Sequence, residues 1–151
     1  MGTIVPGPEV PTAGGAARPW VEYLSTAECW TLLSLHPVGR IGVLVDSAPE
    51  IYPVNHVVDE RSIVFRTDAG GKLRGLERSP AVCYEADGLN LDDRTAWSVL
   101  VKGRAVEVTS PAELERLAGL PLRFWAPGGK PHWVRIVARE VTGRRIHRHG
   151  D

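Results

Sequence analysis

The sequence predicts a mainly β fold with peripheral helices, in which a mostly antiparallel sheet closes into a small barrel. The chain has 151 residues, the size of one domain, and its 16 glycines and 12 prolines suit many short strands and turns. About six segments rich in β-branched residues follow one another without regular alternation with helices, so a parallel βαβ sheet is not expected. A lone twisted sheet would leave apolar edges exposed, which favours closure into a barrel.

Three helices are indicated by their start and stop signals. Ser25 and Glu28 have the spacing of a capping box, and Pro37 stops the helix that they begin. The other two start signals are Ser110-Pro111, for a helix that runs to about Gly119, and Gly70-Gly71-Lys72, for a short helix.

The remaining apolar segments are predicted strands, and the two ends of the chain are predicted to lie outside the domain. Residues 1–20 are rich in proline and glycine and are expected to form a disordered arm, followed by the domain at 21–147 and a tail at 148–151. The predicted strands are Val38–Val45, Ile51–Val58, Ser62–Thr67, Ala81–Ala86, Trp97–Thr109 and His132–Val141, the last of them broken by Thr142-Gly143.

The second and third predicted strands are expected to pair through a three-residue turn at 59–61. This register places residue 56 opposite 64 and residue 54 opposite 66. Because side chains alternate between the two faces of a strand, four of them would share one face: Val54, His56, Val64 and Arg66. A polar pair, His56 and Arg66, among valines is a candidate floor for a ligand.

An anion-binding site is predicted where the third strand ends and the short helix begins. Glycines at 70 and 71 let a ligand approach the backbone, and a helix N-terminus offers unpaired N–H groups at the positive end of its dipole. With Arg66, Thr67 and Lys72 this forms a phosphate cradle. It is not a Walker A loop, because Leu73 stands where that motif needs Ser or Thr. The alternative is a solvated helix start with a surface lysine.

Two further segments carry aromatic residues suited to a flat ligand. Trp97 and Ser98 open a strand, where an indole N–H and a hydroxyl can reach a phosphate or a ring, although Trp97 could equally plug the barrel. Trp125 and Trp133 bracket a glycine-rich loop. With Arg135 they are candidates for a substrate pocket, and a subunit interface is the alternative.

Composition argues against several other classes of protein. Lys+Arg and Asp+Glu are both 18, so the formal charge is +0 and nucleic acid is not an expected partner. No stretch reaches the roughly 18 apolar residues of a membrane span, and no secretory signal is recognised, so a cytoplasmic protein is expected. Two cysteines, Cys29 and Cys83, cannot form a four-cysteine zinc site, and no metal is predicted. No catalytic side chain is identified.

These segments together resemble the pyridoxamine 5'-phosphate oxidase-like flavoproteins, specifically their short actinobacterial members. The likeness covers about residues 21–146, and its specificity lies in the order and spacing of the set. The matching runs are Pro53-Val54-Asn55, Ile63–Thr67, Gly71-Lys72-Leu73, Trp97-Ser98-Val99, Gly103-Arg104-Ala105, Trp125–Gly128, Trp133–Ile136 and Thr142–Arg145.

The resemblance implies a split β-barrel of the FMN-binding type that forms a homodimer, with FMN in each of two interface clefts. In such proteins the strand matching Val54–Val57 lies beside the flavin ring, and many relatives carry an aromatic residue where His56 stands. The run from Arg66 to Leu73 holds the ribityl chain and phosphate, and Trp97-Ser98 closes the site, often from the other subunit. The expected cofactor-binding residues are Val54, Asn55, His56, Val57, Arg66, Thr67, Gly71, Lys72, Leu73, Trp97 and Ser98.

The activity that the resemblance implies is that of an FMN-dependent oxidoreductase acting on a small molecule, which the sequence does not identify. A deazaflavin-dependent reductase is an alternative, since that cofactor shares the tricyclic ring and the phosphate. A non-enzymatic flavin- or haem-binding protein is another. Pyridoxal phosphate synthesis is not expected, because the additional substrate-binding basic residues of the true oxidases have no convincing match.

Overall fold

The computed structural model describes residues 20–123 and 129–147, and the predicted arm and tail lie outside these ranges except for Trp20. The described residues form eight strands and three helices. In chain order they are β1 (Trp20–Tyr23), α1 (Thr26–Leu35), β2 (Val38–Val45), β3 (Ala48–Asn55), β4 (Val57–Asp59), β5 (Ser62–Thr67), α2 (Gly71–Arg78), β6 (Ala81–Asn90), β7 (Thr95–Val108), α3 (Pro111–Ala118) and β8 (His132–His147).

The strands form one antiparallel sheet that curls into a half-barrel. Its order is β3-β2-β6-β7-β8-β5-β4, and β1 adds to β8. β3 and β4 are at opposite ends of this order, yet the single residue His56 joins them in the chain. The sheet must therefore curl until its two ends approach each other. The predicted class, mainly β with peripheral helices around a split barrel, is confirmed.

The longest strand, β8, organises the sheet because it pairs along its length with β7, from Thr95 opposite His147 to Val108 opposite Trp133. Its other edge pairs with β5 at one end and with β1 at the other. The predicted break at Thr142-Gly143 is wrong, since β8 continues to His147. β1 was not predicted, because its four residues are mostly exposed and carry no alternating pattern.

The three helices follow their predicted signals. The Ser25 hydroxyl accepts from the Glu28 amide, and the Glu28 carboxylate accepts from the Ser25 amide at 2.8 Å, which completes the capping box. α1 and α2 pack on the main core, whereas α3 covers a smaller cluster of Val64, Val108, Leu117 and Trp133. In the described part of the chain, no helix has the length and apolar content needed to cross a bilayer.

The hairpin between β4 and β5 has a different register from the predicted one. Its turn has two residues, Glu60 and Arg61, with φ of 46° and 61°, and Asp59 pairs directly with Ser62. Such left-handed two-residue turns match the twist of the flanking strands, so they compete well against a three-residue loop. Val57, not residue 56, opposes Val64, and the predicted strand 51–58 is divided at His56. The expected shared face of residues 54, 56, 64 and 66 is therefore wrong.

Candidate functional site

The candidate site lies where β5 ends and α2 begins. Thr67, the last residue of β5, is buried, and Leu73 anchors the first turn of α2 in the main core. Gly70 is the N-cap of α2 and supplies no side-chain cap for the first N–H groups. Among the described residues, a Cβ added to Gly70 would meet no atom within 4 Å, and one added to Gly71 would meet only the Arg74 guanidinium, at 4.0 Å. Within that part of the chain the helix start is open, as an anion-binding N-terminus requires.

Lys72 is half-buried beside this helix start. Its Nζ lies 5.2 Å from the centre of the Tyr52 ring, within the range of a cation–π contact. Burial lowers the pKa of Lys72, and the positive charge of Lys130 lowers it further, while Asp68 acts in the opposite sense. An anion bound here would favour the charged form of the lysine and reverse this shift.

Arg66 lies on β5 next to Thr67 but faces the other side of the strand, since successive side chains alternate. It pairs with Trp133 of β8, and its guanidinium carbon lies 5.1 Å from the centre of the Trp133 ring. Its Nε donates to the Lys130 carbonyl oxygen at 2.6 Å. Arg66 therefore holds the segment before β8 against the end of β5.

A histidine–carboxylate pair borders the same edge and was not predicted. His132 is opposite Thr67 in the β5–β8 register, and its Nδ1 lies 2.6 Å from Oε1 of Glu107 on β7. Both side chains are about one-third exposed, at 30% and 32%. Nothing in the local sequence links residues 107 and 132, because only the β7–β8 register brings them together.

His56 points into the core and is 3% exposed. Its Nε2 lies 2.9 Å from the Leu33 carbonyl oxygen, and its Nδ1 contacts the Tyr84 hydroxyl. A carbonyl can only accept, so Nε2 carries the proton and Tyr84 donates to Nδ1. In a continuing helix the Leu33 carbonyl would accept from residue 37, but Pro37 has no N–H. His56 thus supplies the donor that proline lacks, and burial lowers the pKa of His56 and raises that of Tyr84.

The rest of the 54–57 segment remains close to the barrel closure. Val54 is 7% exposed in the main core, and Val57 packs on the smaller cluster beneath α3. Asn55 is half-buried at the end of β3, where it pairs with Val38. These residues line the joint between the two ends of the sheet.

Trp97 and Ser98 lie at the far end of β7 from the cradle. Arg66 pairs with Trp133, which pairs with Val108, and Trp97 is 11 residues before Val108 in β7. At about 3.3 Å per residue the separation along the strand is roughly 35 Å. The Trp97 ring packs against the main core, 4.6 Å from the His36 ring, whereas Ser98 faces the outer surface of the sheet. One chain does not bring Trp97-Ser98 to the cradle.

Of the three candidates for a substrate pocket, Trp125 lies outside the described residues, and Trp133 is buried under α3. Arg135 donates to the Glu113 carboxylate at 2.7 Å and contacts Asp59 at 2.9 Å. Arg116 also binds Asp59, through both of its terminal nitrogens. The hydrogen bonds from Arg116 and Arg135 hold the pKa of Asp59 at about 2 against the opposing effect of burial. This network fastens α3 to the β4–β5 hairpin.

The curled antiparallel half-barrel with three peripheral helices is a split-barrel fold. The family model for pyridoxamine 5'-phosphate oxidase matches residues 25–145, and the chain belongs to this family. The predicted resemblance is thereby confirmed.

Individual relatives agree with this assignment. The chain is 38% identical over 136 residues to the uncharacterized protein Rv0080 of Mycobacterium tuberculosis, covering 87% of this chain and 88% of that protein. The solved FAD binding protein from Mycobacterium smegmatis is 37% identical, with a TM-score of 0.69 over 83% of this chain and 97% of that one. A FAD-binding protein from Mesorhizobium loti is 25% identical, with a TM-score of 0.68 over 83% and 97%.

Proposed function

We propose that the protein is a flavin-dependent oxidoreductase that binds FMN through its phosphate at the junction of β5 and α2. The observation that carries the proposal is the open, glycine-capped start of α2 beside the half-buried Lys72 and the buried Thr67. Two similar solved proteins are described as binding FAD, which supports a flavin as the class of ligand.

The residues at this junction fit a phosphate ester. The first N–H groups of α2 have no side-chain cap, so they are available to phosphate oxygens, and Lys72 offsets the ligand charge. Hydrogen bonds to charged groups contribute about 1.5–3 kcal/mol each. The flavin ring would lie along the 54–57 segment at the barrel closure. When bound, the flavin supplies the two-electron redox chemistry, and the protein binds and orients it.

We expect the complete site to need two copies of the chain. The outer face of the sheet around Ser98 carries exposed apolar side chains: Tyr23 is 85%, Leu89 is 69% and Ile146 is 37% exposed. By strand register these three side chains share the face of Ser98. Contiguous apolar surface of this kind is typical of an interaction site. We propose a homodimer in which a second copy covers this face and the Ser98 end of β7 completes the partner's cradle.

The cofactor and the oligomeric state can be tested on one preparation of the full chain. Titration with FMN, FAD, riboflavin and a deazaflavin cofactor, followed by flavin fluorescence, should give the tightest binding for a phosphorylated flavin. Sedimentation should give the mass of a dimer. Tighter binding of FAD than of FMN would support the phosphate cradle and identify FAD as the cofactor. Tighter binding of the deazaflavin would favour a deazaflavin-dependent reductase. Absence of binding by every flavin, or a monomer that binds FMN with full affinity, would overturn the proposal.

A further measurement separates an enzyme from a flavin carrier. Mixing the loaded protein anaerobically with NAD(P)H or a reduced deazaflavin should bleach the flavin absorbance, and an added quinone or nitro compound should restore it. Bound flavin that stays oxidised with every donor would favour the carrier. A Soret band in the purified protein would point to haem.

A further inference from the structure

Lys130 is absent from the predicted cofactor-binding set but lies beside it. It precedes β8 by two residues and is half-buried. Its carbonyl oxygen accepts from Arg66 Nε at 2.6 Å, so its backbone is held against the end of β5. Its positive charge lowers the pKa of Lys72, so the two ammonium groups are electrostatic neighbours.

The arrangement concentrates positive charge at the open start of α2. The charges of Lys72 and Lys130, both partly buried, act on each other there, while Arg66 lies on the opposite face of the same strand end. Like charges that are partly removed from water raise each other's free energy, and Asp68 only partly offsets this for Lys72. A bound anion offsets that repulsion. A phosphate monoester is suited to this role because it carries about two negative charges near neutral pH.

Arg66 and Lys130 have different geometric roles. Arg66 faces the Trp133 side of β5, and its Nε is used on the Lys130 backbone. Lys130 is the cation whose charge reaches Lys72 at the helix start. The guanidinium therefore positions the 129–131 segment. This places the half-buried Lys130 next to the end of β5, where Thr67 pairs with His132.

We propose that Lys130 is a further phosphate-binding residue of the cofactor site and that Arg66 is a positioning residue acting through it. This inference rests on the proposed flavin-binding function. The phosphate would then be bound by a residue from the segment before β8 as well as by the motif that begins α2.

The test compares FMN with riboflavin, which has the same ring and ribityl chain but no phosphate. Lys130→Gln should raise the Kd for FMN about tenfold and leave the Kd for riboflavin unchanged. Lys130→Arg keeps the charge and should bind FMN within about threefold of the wild type. Arg78→Gln is the control for the loss of one positive charge, because Arg78 is a 76% exposed cation paired with Asp46 at the far end of α2, and it should change neither Kd.

The role of Arg66 is tested with a double-mutant cycle. If Arg66 acts through Lys130, Arg66→Gln should weaken FMN binding without affecting riboflavin, and the double variant should be no weaker than Lys130→Gln alone. Additive losses would make Arg66 a direct phosphate ligand and overturn its positioning role. An unchanged FMN-to-riboflavin ratio in Lys130→Gln would remove Lys130 from the site. If the wild type itself does not prefer FMN to riboflavin, the phosphate site, and with it the proposed function, fails.

Discussion

Replacing Tyr84 by Phe removes one hydroxyl from the core, and we expect this to destabilise the protein by about 1–3 kcal/mol. Tyr84 is 0% exposed and His56 is 3% exposed, so water cannot replace the lost hydroxyl. In the variant Nδ1 of His56 has no donor. If the imidazole changes tautomer instead, the Leu33 carbonyl loses the proton that Nε2 supplies. Either response leaves one buried polar atom unsatisfied, which sets the size of the loss.

The assay is urea unfolding of the cofactor-free protein, with the free energy of unfolding taken from the midpoint and the slope. The expected loss corresponds to a fall in Tm of roughly 3–9 °C for a domain of this size. Thr31→Val is the control for the loss of one hydroxyl: Thr31 is exposed on α1, so the change should alter stability by less than about 0.5 kcal/mol. If Tyr84→Phe is no less stable than Thr31→Val, the hydrogen-bonded chain from Tyr84 through His56 to α1 does not exist as described.

Three further predictions address the ion-pair network, the cradle and pH. Asp59→Asn should lower the free energy of unfolding by about 2 kcal/mol in the same assay, because Asp59 is 8% exposed and binds two arginines. The control is Asp46→Asn, which alters an exposed carboxylate and should change stability very little. Equal losses in the two variants would contradict the network. Lys72→Ala should weaken FMN binding by about 1.5–3 kcal/mol, measured by fluorescence titration against the exposed-cation control Arg78→Ala, and an unchanged Kd would exclude Lys72 from the site. Burial lowers the pKa of His56 below its ordinary 6.5, so as the pH falls the unfolded chain takes up a proton at this residue before the folded chain does. Stability should therefore be fully present above pH 6.5 and fall below it, and a flat profile from pH 7 to 5 would contradict this sign.

Most secondary structure could be predicted because its causes are local. The capping box at Ser25 and Glu28 and the stop at Pro37 are satisfied within one helix, so α1 follows from a few neighbouring residues. The hairpin register could not be obtained in the same way. Turns of two and three residues both fit the sequence around Glu60, and the division of the strand at His56 depends on bonds to α1 and Tyr84, which are remote in the chain.

The cradle residues share a short segment, so the sequence could place Thr67, Gly71 and Lys72 together at one helix start. The partners of that segment come from far along the chain. Lys130 and His132 reach it only through the pairing of β5 with β8, and register in a sheet is a cooperative property of many cross-strand contacts.

Local chemistry thus determined the helices, most strands and the candidate anion site, because each depends on residues that are close together in the chain. The family followed from the order and spacing of motifs along the sequence. The tertiary structure decided which way the buried and charged side chains face. It directed His56 into the core, committed Arg135 to Asp59 and Glu113, and separated Trp97 from the cradle by the length of β7. These outcomes depend on which distant strands become neighbours, and hydrophobic closure of the barrel selects that arrangement for the whole sheet at once.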